Sequence, residues 1–181
     1  ESNHILTGSA EEPISVTVMG NNYNFSLPCD YPALNENVPL IAPYEFQTID
    51  DKTQQIFIET LESHKENKAY DSYSVLTFEI FNNSFETKKL EECICDTLKV
   101  YTTSKVQSFI YQGTELVTNP ADVIEALGDP KEEQSALNFY SLRYETSYGT
   151  MELMYNINDD KSITDIPTYI GITNCAGTRI Y

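Results

Sequence analysis

Hydrolysis by a serine or cysteine nucleophile needs an imidazole or another base beside it, and the chain offers only His4 and His64. His4 lies in the polar stretch ESNHILTGSAEEP, and His64 in the charged run Glu62-Ser63-His64-Lys65-Glu66. Both read as solvated histidines, because a general base must be held within hydrogen-bond reach of a defined proton. No GxSxG, HExxH, P-loop or GxGxxG pattern occurs, and seven glycines leave little material for a phosphate-cradling loop. Adjacent carboxylates are plentiful, at Asp50-Asp51, Glu91-Glu92, Glu132-Glu133 and Asp159-Asp160. Glycoside hydrolysis would need two of them to converge across a cleft, whereas acids adjacent in sequence usually mark solvated turns. The segment Asn156-Ile157-Asn158-Asp159-Asp160-Lys161 carries some oxygens of a calcium loop but lacks its glycine and its distal glutamate. The expected catalytic set is therefore empty, with no cofactor and no dedicated metal site.

The cysteines are Cys29, Cys93, Cys95 and Cys175. Four cysteines allow three pairings, and their spacing does not choose among them. Cys93-Ile94-Cys95 puts two thiols on one face of an extended segment, which is neither a CxxC redox motif nor half of a paired zinc site. Buried thiols or one long-range disulfide are the expected states. Tyr140, Tyr144, Tyr148 and Tyr155 are candidate partner-binding residues, since tyrosine offers a large amphipathic contact surface. Structural cross-strand pairing is the competing expectation for them, and the absence of tryptophan counts against a sugar-stacking platform.

The net charge is −17, and acids outnumber bases on both sides of Ser104. Without a basic face there is nothing to neutralise phosphates, so nucleic acid is excluded as an expected partner, and an anionic membrane surface would repel the chain. Such a surface favours solubility by self-repulsion, with a cationic partner as the alternative use of the charge. No stretch is long and apolar enough for a membrane span. Residues 1–13 are small, polar and acidic without periodicity, and they read as a flexible tether following a cleaved leader.

The elements that must position these groups are mostly strands. Ile14–Val18 and Tyr23–Leu27 alternate apolar and polar residues around Gly20-Asn21-Asn22, which is a hairpin pattern. Asp30 and Pro32 open a short helical turn. Residues 35–52 read as an irregular packed connection, and residues 55–62 as a strand. Tyr73–Phe81, apolar on both faces, reads as a central strand, followed by strands over 92–102 and 106–111. Thr118-Asn119-Pro120 through Leu127-Gly128-Asp129-Pro130 has an N-cap, an early proline, an apolar stripe and a C-terminal glycine, which predicts a helix. A meander follows over 142–144, 151–157 and 162–172. This order predicts an α+β fold, mainly antiparallel sheet with few short helices. It suggests two related helix-plus-meander units, an N-terminal β-rich unit over 14–104 and a C-terminal unit over 105–181.

Several short motifs then carry a resemblance. They are Gly20-x-x-Tyr23-x-Phe25-x-Leu27-Pro28, Phe81-Asn82-Asn83-Ser84, Leu90-x-x-Cys93-x-Cys95, Tyr111-x-Gly113, Leu127-Gly128-Asp129-Pro130, Leu142-x-Tyr144 and Met151-Glu152-Leu153. In these the chain resembles a group of Gram-positive secreted lipoproteins of uncharacterised role. Its helix-then-meander part looks like the repeat of β-lactamase-inhibitory-protein-like and small outer-membrane-assembly lipoprotein folds. The resemblance implies a lipid-anchored or secreted extracytoplasmic protein, in a fold whose members bind or scaffold. It does not imply β-lactamase inhibition, whose contacts lie in loops the motifs do not cover. The expected function is that of a non-catalytic binding or scaffolding ectodomain with a protein or envelope partner. A cell-envelope hydrolase using a carboxylate pair is the alternative.

Overall fold

Ile14 faces Phe25 and Val16 faces Tyr23 across the hairpin of Glu12–Val18 and Asn21–Leu27. Its two turn residues, Met19 (φ 50°) and Gly20 (φ 82°), both have left-handed φ, the combination that joins two twisted strands through a two-residue loop. Val106–Tyr111 pairs with the outer edge of Glu12–Val18, and Thr114–Glu115 completes a four-stranded antiparallel sheet. This structure, a computed structural model, describes residues 5–6, 12–41, 43–101, 103–146 and 149–174.

The second sheet has ten strands. Its path runs from Ile5–Leu6 through Phe139–Thr146, Gly149–Asn156, Tyr169–Asn174, Ile94–Val100, Leu76–Phe81 and Glu66–Asp71 to Leu40–Ile41. Glu132–Ser135 pairs with Phe139–Thr146, and Cys29–Asp30 pairs with Ile94–Val100. The four-stranded sheet supplies Val16, Phe25 and Phe109 to a core shared with Phe78, Leu98, Leu142 and Leu153 of the large sheet. Phe25 meets Phe78 edge to face across this seam, with ring centroids 5.4 Å apart. Leu76–Phe81 is buried along its whole length, as its apolar residues on both faces require of a central strand.

Two short helices cap the core. In α1 (Tyr31–Asn37) the Asp30 carboxylate accepts the Ala33 amide at 2.8 Å, and Leu34 is the buried side chain. In α2 (Pro120–Leu127) Asn119 accepts the Asp122 amide at 2.9 Å, Val123 is buried and Gly128 closes the last turn at φ 84°. Those local signals are strong in the sequence, but they govern little of the chain. Strands hold 55% of the described residues and helical turns 13%, with two α-helices. The fold class is therefore mainly β, which corrects the α+β expectation. The helices fill the ends of a sheet-on-sheet core and do not form a layer.

Other differences are local. The expected strand over 162–172 is confined to Tyr169–Asn174, and Glu132–Ser135 is a strand the periodicity does not announce. Of the segment expected to be a tether, Ile5–Leu6 runs parallel to Glu145–Thr146, and Glu12–Pro13 begins the first long strand. The connection expected to be irregular contains the strand Tyr44–Ile49, paired with Lys52–Phe57 in a two-stranded sheet of its own.

Candidate functional site

Tyr140, Leu142 and Tyr144 share one face of their strand, and their register partners are Tyr155, Leu153 and Met151. All six lie in the main core, with Tyr144 and Tyr155 at 0% exposure, so these rings offer no platform to a partner. Their hydroxyls are committed as well. Tyr144 donates to the Gly128 carbonyl and Tyr155 to the Thr118 carbonyl, each at 2.8 Å, while Tyr140 donates to the Glu133 carboxylate. Burial first, then the nearby Asp129 and Glu133 charges, push the Tyr144 phenol up to about 12. Tyr148 lies outside the described residues.

His64 sits at left-handed φ, and its ring packs edge-on against Phe85 at 5.1 Å. The Ser63 hydroxyl donates to the Ser84 carbonyl at 2.6 Å and lies 2.8 Å from His64 Nδ1. The carbonyl can only accept, so the Ser63 proton is directed at Ser84 in that bond. His4 and Cys175 fall outside the described residues.

The carboxylate pairs occupy separate elements. Asp50-Asp51 forms a hairpin tip, and Glu92 accepts the Lys89 amide at 3.0 Å. Glu132 pairs with Arg143 at 3.2 Å, and Asp160 accepts from the Ser162 amide at 2.9 Å. The Ser162 hydroxyl first, and then that amide bond, hold the Asp160 carboxyl below its ordinary range. The loop with calcium-like oxygens is thus closed on itself at that residue. Cys93 and Cys95 also separate. Cys93 ends a 3-10 turn, packs in a smaller core cluster and donates to the Lys89 carbonyl, whereas Cys95 is in the main core.

The feature that sequence reasoning missed is the hairpin of Tyr44–Ile49 and Lys52–Phe57. Asp50 (φ 51°) and Asp51 (φ 62°) form its tip, a two-residue turn for which aspartate is one of the few tolerant residues. Its register places Tyr44, Phe46 and Phe57 on one face, and Glu45, Gln47, Ile49 and Ile56 on the other. Phe46 is 67% exposed and Phe57 52%, and Tyr44 meets Phe46 edge to face at 5.5 Å. These rings stand in water and contribute little to holding the fold together.

The root of this arm is firm. The Ile58 amide donates to the Pro43 carbonyl at 3.0 Å and the Leu90 amide to the Glu59 carbonyl at 2.8 Å. Ile58 and Leu61 enter a second buried cluster with Ala69, Ile80, Leu90 and Cys93. Between the arm and the body lies a cleft of about 630 Å³. The arm lines it with Glu45, Gln47, Ile56 and Phe57, and the body with Glu59, Glu62, Lys65 and Glu66. On the aromatic side a smaller groove of about 410 Å³ is lined by Tyr44, Phe46, Glu66, Lys68 and Tyr70. Glu45, Glu59, Glu62 and Glu66 thus face a single lysine in the larger cleft, with the Phe57 ring at its border, while Tyr44 and Phe46 line the smaller groove. The alternation Tyr44-x-Phe46 with Ile56-Phe57 on either side of Asp50-Asp51 is the sequence signal that could have revealed the hairpin.

No protein-family model, curated protein or solved structure matches this chain.

Proposed function

We propose that this chain is a non-catalytic extracytoplasmic binding module whose arm and acidic cleft receive an extended, cationic polypeptide segment. The exposure of Phe46 and Phe57 on a hairpin beside a cleft lined by four glutamates carries the proposal. Exposed aromatic rings on a rigid root are the usual anchors of a protein interface, and lysine or arginine side chains complement the cleft. Lys52–Phe57 belongs to a two-stranded sheet, so its outer edge can accept an added strand. The net charge of −17 favours the same class of partner and opposes nucleic acid and anionic lipid. An extracytoplasmic location, with lipid anchoring upstream, is proposed from the resemblance in the Gly20–Pro28 and Leu127–Pro130 motifs.

Calorimetric titration with an extended peptide alternating lysine and phenylalanine, against a control alternating glutamate and phenylalanine, tests the proposal. Saturable binding of the basic peptide alone, weakened by Phe46→Ala with Phe57→Ala and by added salt, is the expected result. Equal binding of both peptides, or binding indifferent to the two substitutions, rejects the arm as the site.

A further inference from the structure

Cys29 follows the first hairpin, separated from it only by Pro28, and lies in a two-residue strand, Cys29–Asp30, that pairs with the start of Ile94–Val100. The register sets Cys29 directly opposite Cys95. Opposed residues in an antiparallel pair have their Cα atoms about 4.5 or 5.5 Å apart, according to whether the pair is hydrogen-bonded. Both values fall within the roughly 4.4–6.8 Å that a disulfide spans. Opposed residues also project to one side of the sheet, and here Cys95 belongs to the main core while Cys29 packs against it. Cys29 is half-buried and lines an open groove with Ile14, Phe25 and Ala33, whereas Cys95 is fully buried.

We infer that Cys29 and Cys95 are a dithiol pair that closes into a cross-strand disulfide by exchange with an external disulfide. In the first step the Cys29 thiolate attacks one sulfur of that disulfide, forming a mixed disulfide and expelling one thiolate. In the second, Cys95 loses its proton to solvent and its sulfur attacks Cys29 Sγ, expelling the other thiolate. The protein loses two electrons and two protons, and the external disulfide becomes two thiols. Cys29 is the entry point because it borders the groove, and Cys95 is the resolving thiol because no solvent reaches it. Burial, then Cys29 and Asp96 nearby, hold the Cys95 thiol well above its ordinary range, so the second step is the slow one. Cys93 is excluded by its place in the other cluster, where it donates to Lys89.

The closed bond would tie the small strand before α1 to the centre of the large sheet. Neither cysteine lines the clefts beside the arm, so the inference is independent of what the arm binds. The test is incubation of the folded, full chain with oxidised glutathione, acid quenching, alkylation under denaturing conditions and peptide mapping without reductant. The expected product is a peptide pair linked through Cys29 and Cys95, lighter by two hydrogens than the reduced pair, with Cys93 alkylated. Its formation should accelerate as pH rises, and the linked protein should melt at a higher temperature than the reduced one. Alkylation of both Cys29 and Cys95 after prolonged oxidation, or a dominant link from either of them to Cys93 or Cys175, would overturn the assignment.

Discussion

The Tyr144 hydroxyl donates to the carbonyl of Gly128, the residue that ends α2, and the Tyr155 hydroxyl donates to the carbonyl of Thr118, just before the α2 N-cap. Two tyrosines from adjacent strands of one sheet therefore hold opposite ends of a single eight-residue helix. A helix this short does not persist alone in water, so its place depends on such contacts and on the burial of Val123. Tyr144→Phe and Tyr155→Phe should each lower stability by about 1 kcal/mol, because each leaves a carbonyl at a helix end without its donor. Urea unfolding checks this. Unchanged midpoints in both variants would show that the hydroxyls do not hold the helix.

Alkaline pH should act through the same residues. The Tyr144 phenol is pushed up to about 12 by burial, so the folded state keeps its proton where the unfolded chain, near 10, gives it up. The stabilisation is complete below about pH 10 and is lost as pH rises through about 12, since the native state binds more protons in that window. Burial raises Tyr140 and Tyr155 in the same direction. Unfolding followed by tyrosinate absorbance should coincide with loss of sheet circular dichroism, and Tyr144→Phe should shallow the decline. Tyrosines that ionise while the sheet signal stays intact would contradict it.

Asp71 is fully buried at the turn between Glu66–Asp71 and Leu76–Phe81, and it accepts the amides of Val75 at 2.6 Å and Leu76 at 2.8 Å. It also accepts the Tyr73 amide at 3.2 Å. Asp71→Ala strips several buried donors at once and should cost about 3 kcal/mol or more. Asp71→Asn keeps an acceptor oxygen and should cost less. Equal losses in the two variants, measured by denaturant titration, would mean that the hydrogen bonds are not what the site needs.

The arm gives the opposite expectation. Phe46→Ala with Phe57→Ala removes rings that are mostly in water and should change stability by no more than about 0.5 kcal/mol. The same double substitution should weaken binding of a basic extended peptide, and raising the ionic strength should weaken binding by the unaltered protein, since partly exposed charges are screened. A large drop in melting temperature would instead make the rings structural.

What could be read from the sequence is what depends on neighbours in sequence. Asn119-Pro120 and Gly128 bound α2, and Ile14, Val16 and Val18 alternate against Tyr23, Phe25 and Leu27, because caps and pleats are local. The fold class was not legible in this way. Clear helix signals at Asp30 and Asn119 say that helices exist but not whether they form a layer of their own, which is what the α+β expectation required. The sequence alone allows the tyrosines to be a surface, because a strand pattern does not reveal which face turns inward. Only the register, with Tyr140 opposite Tyr155 and Leu142 opposite Leu153, shows apolar residues stacked on apolar residues. The arm was hidden for the converse reason: its alternation serves no core, and Pro39 and Pro43 break the approach to it.

The placing of Ile94–Val100 between Leu76–Phe81 and Tyr169–Asn174 bears on how the chain reaches its native state. One side of this strand and the first two residues of the other find partners earlier in the sequence, while Thr97–Val100 on that second side wait for residues some seventy positions later. The Asn174 side chain then bonds the Leu27 carbonyl at 2.6 Å, a contact between residues 147 apart. Such distant pairings make for slow folding, because chain entropy is lost before the contacts form. A chain leaving the ribosome amino end first has Thr97–Val100 open on that edge until residues 170–173 have emerged. Over that interval it exposes an unpaired strand edge rich in buried-type residues, the usual nucleus of aggregation. The docking of Tyr169–Asn174 is therefore the step on which productive folding turns.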